Sequence, residues 1–506
     1  MSIEWVPIGM STVALGWTAV LAYVAVTATL AVRGARRTRS LGSYAVGGGD
    51  IPATVVGLSL AAQLTSVATF VINPGLVYAF GVSALIGYGL CAALGITLGL
   101  AFLSRRFRTH GARVQALTVP QWIGTRYGSP GLRAVFALLS LGLVTFATLI
   151  VVALALVLSR LLAQPPDAVA IVLVALVTAG VMLGGATGHA WTNAVQATIM
   201  LVVSLLLVGA GLPLLFSEPG LLARLAALDP NLVRPVNPAS PYFRNAFEAF
   251  FCNFLVGLAI VCQPHVLSKT LYLRDDRDVR PFLLTAIGCG LVFVSVLVTG
   301  LWARIALARP QPIDRVIPTW IAESFPPGLQ VLIAIGLLCA GLSTLEGILL
   351  ALSATFSADF HPLVTRDRSD RAALRFGRAG LVLVAVATVL LARWQIRHPT
   401  GGTVAIFAQY GVYLLFTASF LPLTCGMFVP RAGKRLVAAG VAASVGAYAA
   451  VALLRLTPLH NNPAVLATAG ILAGGLVVGL GLALARWGPG PAPGSSESSG
   501  SGPAAA

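Results

Sequence analysis

Uninterrupted apolar runs constrain this chain more than any other feature. Leu201 to Leu215 carries no charged residue, and comparable windows recur along the sequence. A segment that crosses the hydrocarbon core of a bilayer needs roughly 20 predominantly apolar residues. About thirteen windows meet that need: 10–32, 51–72 (continuing broken to about 80), 82–103, 134–162, 166–183, 191–216, 246–267, 282–307, 328–356, 379–396, 402–428, 436–455 and 463–485. The composition agrees, with 57% hydrophobic and only 10% charged residues, where a soluble domain carries about a quarter charged. The expected fold is therefore an all-α polytopic membrane protein with about 13 transmembrane helices. A membrane β-barrel would need short alternating strands instead.

A net charge of +17 raises the question of nucleic acid. The basic residues cluster in alternate connecting segments: Arg33 to Arg39, Arg105 to Arg133, Lys269 to Arg280, Arg366 to Arg378 and Arg431 to Arg435. Cytoplasmic loops collect Lys and Arg, so the excess follows topology, with the N-terminus outside and the C-terminus cytoplasmic. No nucleic-acid partner and no obligatory protein partner are expected; the surroundings are the lipid bilayer of the cell (inner) membrane. The six cysteines stand singly in apolar spans and read as small buried hydrophobes. The first apolar run lacks a basic leader and is long enough to span, so it reads as a helix rather than a cleaved signal. The Gly/Pro/Ser/Ala-rich tail 488–506 cannot build a core.

Two stretches break the apolar pattern. Cys339 to Glu346 places Ser343 and Thr344 side by side deep in a span, and Ser59 to Gly75 adds further hydroxyls beside Asn73-Pro74-Gly75. Polar groups at that depth mark ion or substrate pathways. Spans two to six and seven to eleven form two groups of five. Each group opens with an interrupted span, at Asn73-Pro74-Gly75 and at Gln263-Pro264-His265. Paired interruptions of this kind point to an inverted repeat with its site at the bilayer midplane. The expected units are a leading helix (1–35), two five-helix repeats (36–220 and 221–430), two trailing helices (431–487) and the tail. The outer segments 217–245 and 308–327 are expected to form short lid or surface helices rather than separate domains.

Four motifs in order make the pattern specific. They are Tyr44 with the Gly-rich approach to the first broken span, and Thr118-Val119-Pro120-Gln121-Trp122 followed by Arg126-Tyr127-Gly128. Next come Gly184-Gly185-Ala186 with Trp191-Thr192-Asn193 and Gln196, and then Ala340 to Thr344 with Ser353 and Asp359. This set resembles the sodium:solute symporter family over about residues 35 to 430. The resemblance implies a LeuT-like 5+5 inverted repeat with one leading and two trailing helices, and Na⁺ as the co-transported ion.

Carried over residue by residue, the family's principal sodium site falls on Ala62, Thr65, Ala340, Ser343 and Thr344. Na⁺ is a hard cation that takes oxygen ligands, which an unwound helix and Ser/Thr hydroxyls supply. The alternative for the two hydroxyls is back-bonding to carbonyls one turn earlier. Asn193 stands where the family usually has Asp, and an amide brings no charge, so one ion per cycle is expected. Glu346 reads either as a protonatable or ion-attracting carboxylate in the cytoplasmic release path or as a residue paired with an Arg or hydrogen-bonded near the inner end.

The break at Asn73-Pro74-Gly75 is expected to aim half-helix N–H groups at the centre, which suits a carboxylate. Solute-site candidates are Ser66 and Thr69, one turn apart, with Gln63, Asn73, Tyr88, Gln263 and His265. No Arg or Lys is expected in the centre of a cavity-lining span. The expectation is Na⁺-coupled import of a small organic solute, of the monocarboxylate kind. Proton-coupled or sodium-independent transport, and a sugar or amino-acid solute, stand as alternatives. No filter-like ring speaks for a channel. No HExxH or GxSxG pattern speaks for an enzyme.

Overall fold

The computed structural model describes residues 10–398 and 404–487; the expected tail lies outside the described residues. Among these the chain is helical, with no strand. Among the described residues, ten helices are long and apolar enough to cross a membrane: α1 (Met10–Ala35), α4 (Val82–Arg113), α5 (Pro130–Leu162), α6 (Pro166–Ala210), α9 (Val279–Ala306), α10 (Pro327–Val364), α11 (Asp370–Arg397), α12 (Ala408–Phe428), α13 (Lys434–Leu453) and α14 (Pro463–Ala485). Two further pairs reach that length only together: α2 (Ala53–Leu64) with α3 (Ala68–Phe80), bent by 55°, and α7 (Phe247–Ile260) with α8 (Pro264–Tyr272), bent by 56°. The second bend falls beside Gln263-Pro264-His265, and the first falls within the same span as Asn73-Pro74-Gly75 but before it.

α6 has 45 residues, about 67 Å at 1.5 Å per residue, more than twice a hydrocarbon core of about 30 Å. It is broken at Gly185, whose φ of 52° and ψ of −154° lie outside any helix. Only glycine takes that conformation at no steric cost. The windows 166–183 and 191–216 are therefore the two arms of this element, one on each side of the break.

α10 forms the centre: 94% of its apolar window is buried, against 11% for α1 at the rim. α10 packs on α6, α5 and α2, while α2 packs on α6 and α9. α13 and α14 pack on each other and on α12. The Thr118 motif now has a local cause. Its side chain accepts from the Gln121 N–H, and Pro120 sits in the first turn of the helix Val119–Arg126. This is an N-cap followed by the residue that tolerates a missing donor. The outer segments form the short helices Leu221–Leu228 and Val316–Ser324, as the sequence indicates. All six cysteines are free thiols, four of them buried.

Candidate functional site

The first break lies at residues 65–67, between α2 and α3, and not at Asn73-Pro74-Gly75. Those residues sit inside a continuous helix, with Pro74 in a first turn and a π-helical turn just before it. The interruption is made by hydroxyls instead. Thr65 leaves helical geometry at φ −105° and ψ 85°, and Ser66 Oγ accepts the Ala68 N–H at 3.2 Å. Ser and Thr offer the backbone such an alternative to the helical ladder. The second break, at 261–263, falls beside Gln263-Pro264-His265 as expected.

The unwound end of α2 faces the middle of α10. Ser343 Oγ donates to the carbonyls of Ala62 at 2.9 Å and Ala340 at 3.0 Å. Thr344 Oγ1 reaches the carbonyls of Gln63 at 3.0 Å and Ala340 at 3.3 Å. The hydroxyls therefore back-bond within α10, as one expected reading has it, and also bridge to α2. Thr65 is buried in the gap, with its N–H on the Ala62 carbonyl at 3.2 Å. It is the Gln63 carbonyl, one of those left by the break, that meets Thr344. Asn193 is wholly buried and turns Nδ2 to the carbonyls of Ser59 and Ser343, both at 3.3 Å. The result is a nest of neutral oxygens with no carboxylate in it, the donor set a hard monovalent cation takes.

Gln63, Ser66, Thr69, Asn73, Tyr88, Gln263 and His265 all line one cavity of about 220 Å³, and Thr65 lines it too. Sequence reasoning missed Asn253, Gln409 and Tyr413, which line it from α7 and α12. None of the three stands next to a breaker or inside one of the four motifs. Gln63 ties the two broken helices together, because its Nε2 donates to the His265 carbonyl at 2.6 Å. Its Oε1 then faces His189 Nε2 at 3.3 Å.

One expectation needs correction. Lys269, counted with the basic loops, is 1% exposed. It follows the second break by one helical turn, and its Nζ donates to Ser59 Oγ at 2.7 Å. A lysine is therefore present in the interior of a broken span. The sequence signal was its spacing of four from His265, which puts both residues on one helix face. Glu346 pairs with no arginine among the described residues; its oxygens lie 3.3 Å from Gln196 Nε2 and 3.4 Å from His189 Nδ1, and it lines a separate cavity of about 540 Å³ between α1, α5, α6 and α10.

Residues 44–441 match the sodium:solute symporter family. The sodium/pantothenate symporter of Escherichia coli (strain K12) is 25% identical over 469 residues, covering 88% of this chain and 92% of that protein. The sodium/sialic acid symporter NanT of Aliivibrio fischeri is 22% identical, with 85% and 86% covered. The high-affinity proline transporter PutP of Bacillus subtilis is 23% identical, with 77% and 81% covered. Among solved structures, a Na⁺-coupled sialic acid symporter in a substrate-bound outward-open state shares the fold. Its TM-score is 0.77 at 17% identity, over 92% of this chain and 97% of that one. With a family match over most of its length and a bundle of membrane-length helices, the chain belongs to the sodium:solute symporter family of multi-pass membrane transporters.

Proposed function

We propose that this protein is a secondary active symporter of the cell membrane, importing a small carboxylate with Na⁺ by alternating access. The observation that carries the reading is the convergence of the Ala62, Gln63 and Ala340 carbonyls on the hydroxyls of Ser343 and Thr344. Ala62, Thr65, Ala340, Ser343 and Thr344 are the proposed ligands of one Na⁺. The ion would join the broken α2 to the intact α10 and favour whichever conformation holds them together. A ligand shifts a conformational equilibrium only through such differential affinity.

Ser66, Thr69, Gln63, Asn73, Tyr88, Gln263 and His265 are the proposed solute contacts. Their shared cavity adjoins the oxygen nest through Thr65 and Gln63. The solute class is supported by chemistry common to the relatives, since pantothenate, sialic acid and proline each carry a carboxylate. A cavity of about 220 Å³ suits a compact molecule, below the 300–1,000 Å³ of drug-sized sites. The positive-inside pattern puts the ends bearing Arg105 to Arg133 and Arg274 to Arg280 in the cytoplasm. The repeats 36–220 and 221–430 are the proposed moving parts.

Counterflow in proteoliposomes with pantothenate, proline, sialic acid, lactate and glucose tests this reading. At least one carboxylate is expected to exchange only when sodium is present. Exchange of glucose alone, or exchange indifferent to sodium, contradicts it.

A further inference from the structure

Where α4 and α12 end, on the side of the basic loops, an open groove of about 490 Å³ lies between them. Arg105, Arg106, Thr109, His110 and Arg113 line it from α4, and Gly426 and Met427 from α12. The spacing of the five α4 residues keeps them on one helix face. The one acid in the lining is Asp276.

The positive-inside bias and the negative end of the helix dipole both favour arginines here. Neither requires that they gather around a groove, and like charges on one face repel. Asp276 does not offset them, because it already pairs with Arg108 and accepts from Thr109 Oγ1 at 3.0 Å. Arg106 is braced by the Met427 carbonyl at 3.0 Å and by the Phe428 ring, whose centre lies 4.3 Å away. Arg105 and Arg113 are exposed and enter no ion pair among the described residues. The groove therefore presents a net positive charge carried by guanidiniums, the groups that match phosphate oxygens in pairs.

Its place in the molecule selects among phosphates. The apolar run of α4 gives way to charge at Arg105, and Phe102, one turn ahead of Arg106, is exposed, as is Phe428 at the end of α12. Apolar surface thus adjoins the cations in the order in which acyl chains adjoin a headgroup. Basic hollows between spans on the cytoplasmic side suit anionic lipids for this reason.

We propose that this groove binds the headgroup phosphate of an anionic phospholipid of the inner leaflet, held by Arg105, Arg106 and Arg113. α4 and α12 both line the solute cavity, through Tyr88 and Tyr413 among others. A lipid seated between their ends restrains how far those ends part. The inference uses only the membrane reading and the positive-inside sidedness, and is independent of which solute or ion is carried.

Thermal unfolding of the detergent-solubilised full chain, titrated with dioctanoyl phosphatidylglycerol, dioctanoyl phosphatidylcholine or glycerol phosphate, tests the proposal. Phosphatidylglycerol is expected to stabilise saturably, with the other two at least tenfold weaker. The double variant Arg105→Gln, Arg113→Gln should raise the half-saturating phosphatidylglycerol concentration at least tenfold. Arg368→Gln with Arg371→Gln, which removes the same charge from another basic loop, should stay within about threefold of wild type. Arg113→Gln alone should give a several-fold rise and provides the readout if the double variant does not fold. Stabilisation by phosphatidylcholine equal to that by phosphatidylglycerol overturns the site, and so does an unchanged double variant. An equal shift in the Arg368, Arg371 control assigns the effect to general surface charge and overturns it too. An equal response to glycerol phosphate makes the ligand a free phosphate and overturns the lipid.

Discussion

The hydroxyl of Ser343 lies 2.9 Å from the carbonyl oxygen of Ala62, although 281 residues separate the two in the chain. The neighbouring pair, Thr344 and Gln63, repeats the contact at 3.0 Å. Two hydroxyls on one turn of an unbroken helix thus cover two carbonyls at the unwound end of another. In a membrane interior an exposed carbonyl costs several kcal/mol, so the break is sustainable only with such partners. A cation seated there would take over part of the hydroxyls' role toward these carbonyls.

Gly347 lies one turn beyond Ser343, and a Cβ there would overlap the side-chain amide of Gln63. Gly347→Ala is expected to push Gln63 off the His265 carbonyl, uncoupling the two broken helices, and to lower uptake at least tenfold. Overpacking should also cost about 1–3 kcal/mol of stability. Uptake assays beside thermal unfolding check this, and wild-type uptake in the variant would contradict it.

Asp359 is buried, taking Arg133 Nε on one oxygen and Thr118 Oγ1 on the other, each at 2.7 Å. The Arg133 side chain is 31% exposed, the Asp359 side chain fully buried. Removing the arginine strands a buried charge, while removing the acid leaves a cation that water can reach. Arg133→Gln is therefore expected to cost more, about 3–5 kcal/mol, than Asp359→Asn, and comparative thermal unfolding decides the order.

Asn193 donates to two carbonyls from the one amide nitrogen. In Asn193→Asp a carboxylate oxygen faces those two acceptors, which should destabilise the sodium-free protein by about 1–3 kcal/mol. Added sodium should restore much of that loss in the variant. For the wild type the expected coupling is one Na⁺ per solute, and a flux ratio of two would refute it.

The span pattern and the second break were legible because apolar length and Gln263-Pro264-His265 are local signals. The first break was misplaced because Pro74 is a conspicuous breaker, whereas the real interruption is made by Thr65 and Ser66, whose effect depends on α10 hydroxyls donating to the freed carbonyls. Proline early in a half-helix is tolerated. Ser343 and Thr344 could be named from their depth in the span. Lys269 could not be placed from charge alone, because loop counting treats every lysine near a basic run as exposed. Only the turn of α8 after the break carries it inside. Gln409 and Tyr413 entered the cavity through packing between distant helices, which leaves no trace in local sequence.

The most direct test is the sodium dependence of solute uptake into proteoliposomes by wild type and by the Ser343→Ala, Thr344→Ala double variant. The wild type should require an inward sodium gradient and tolerate a protonophore. The double variant loses both contacts that cover the break, so uptake is scored per folded protein, and it should need at least tenfold more sodium for half-maximal uptake. Identical sodium dependence in the two proteins, or uptake that ignores sodium and collapses with the protonophore, would contradict the account.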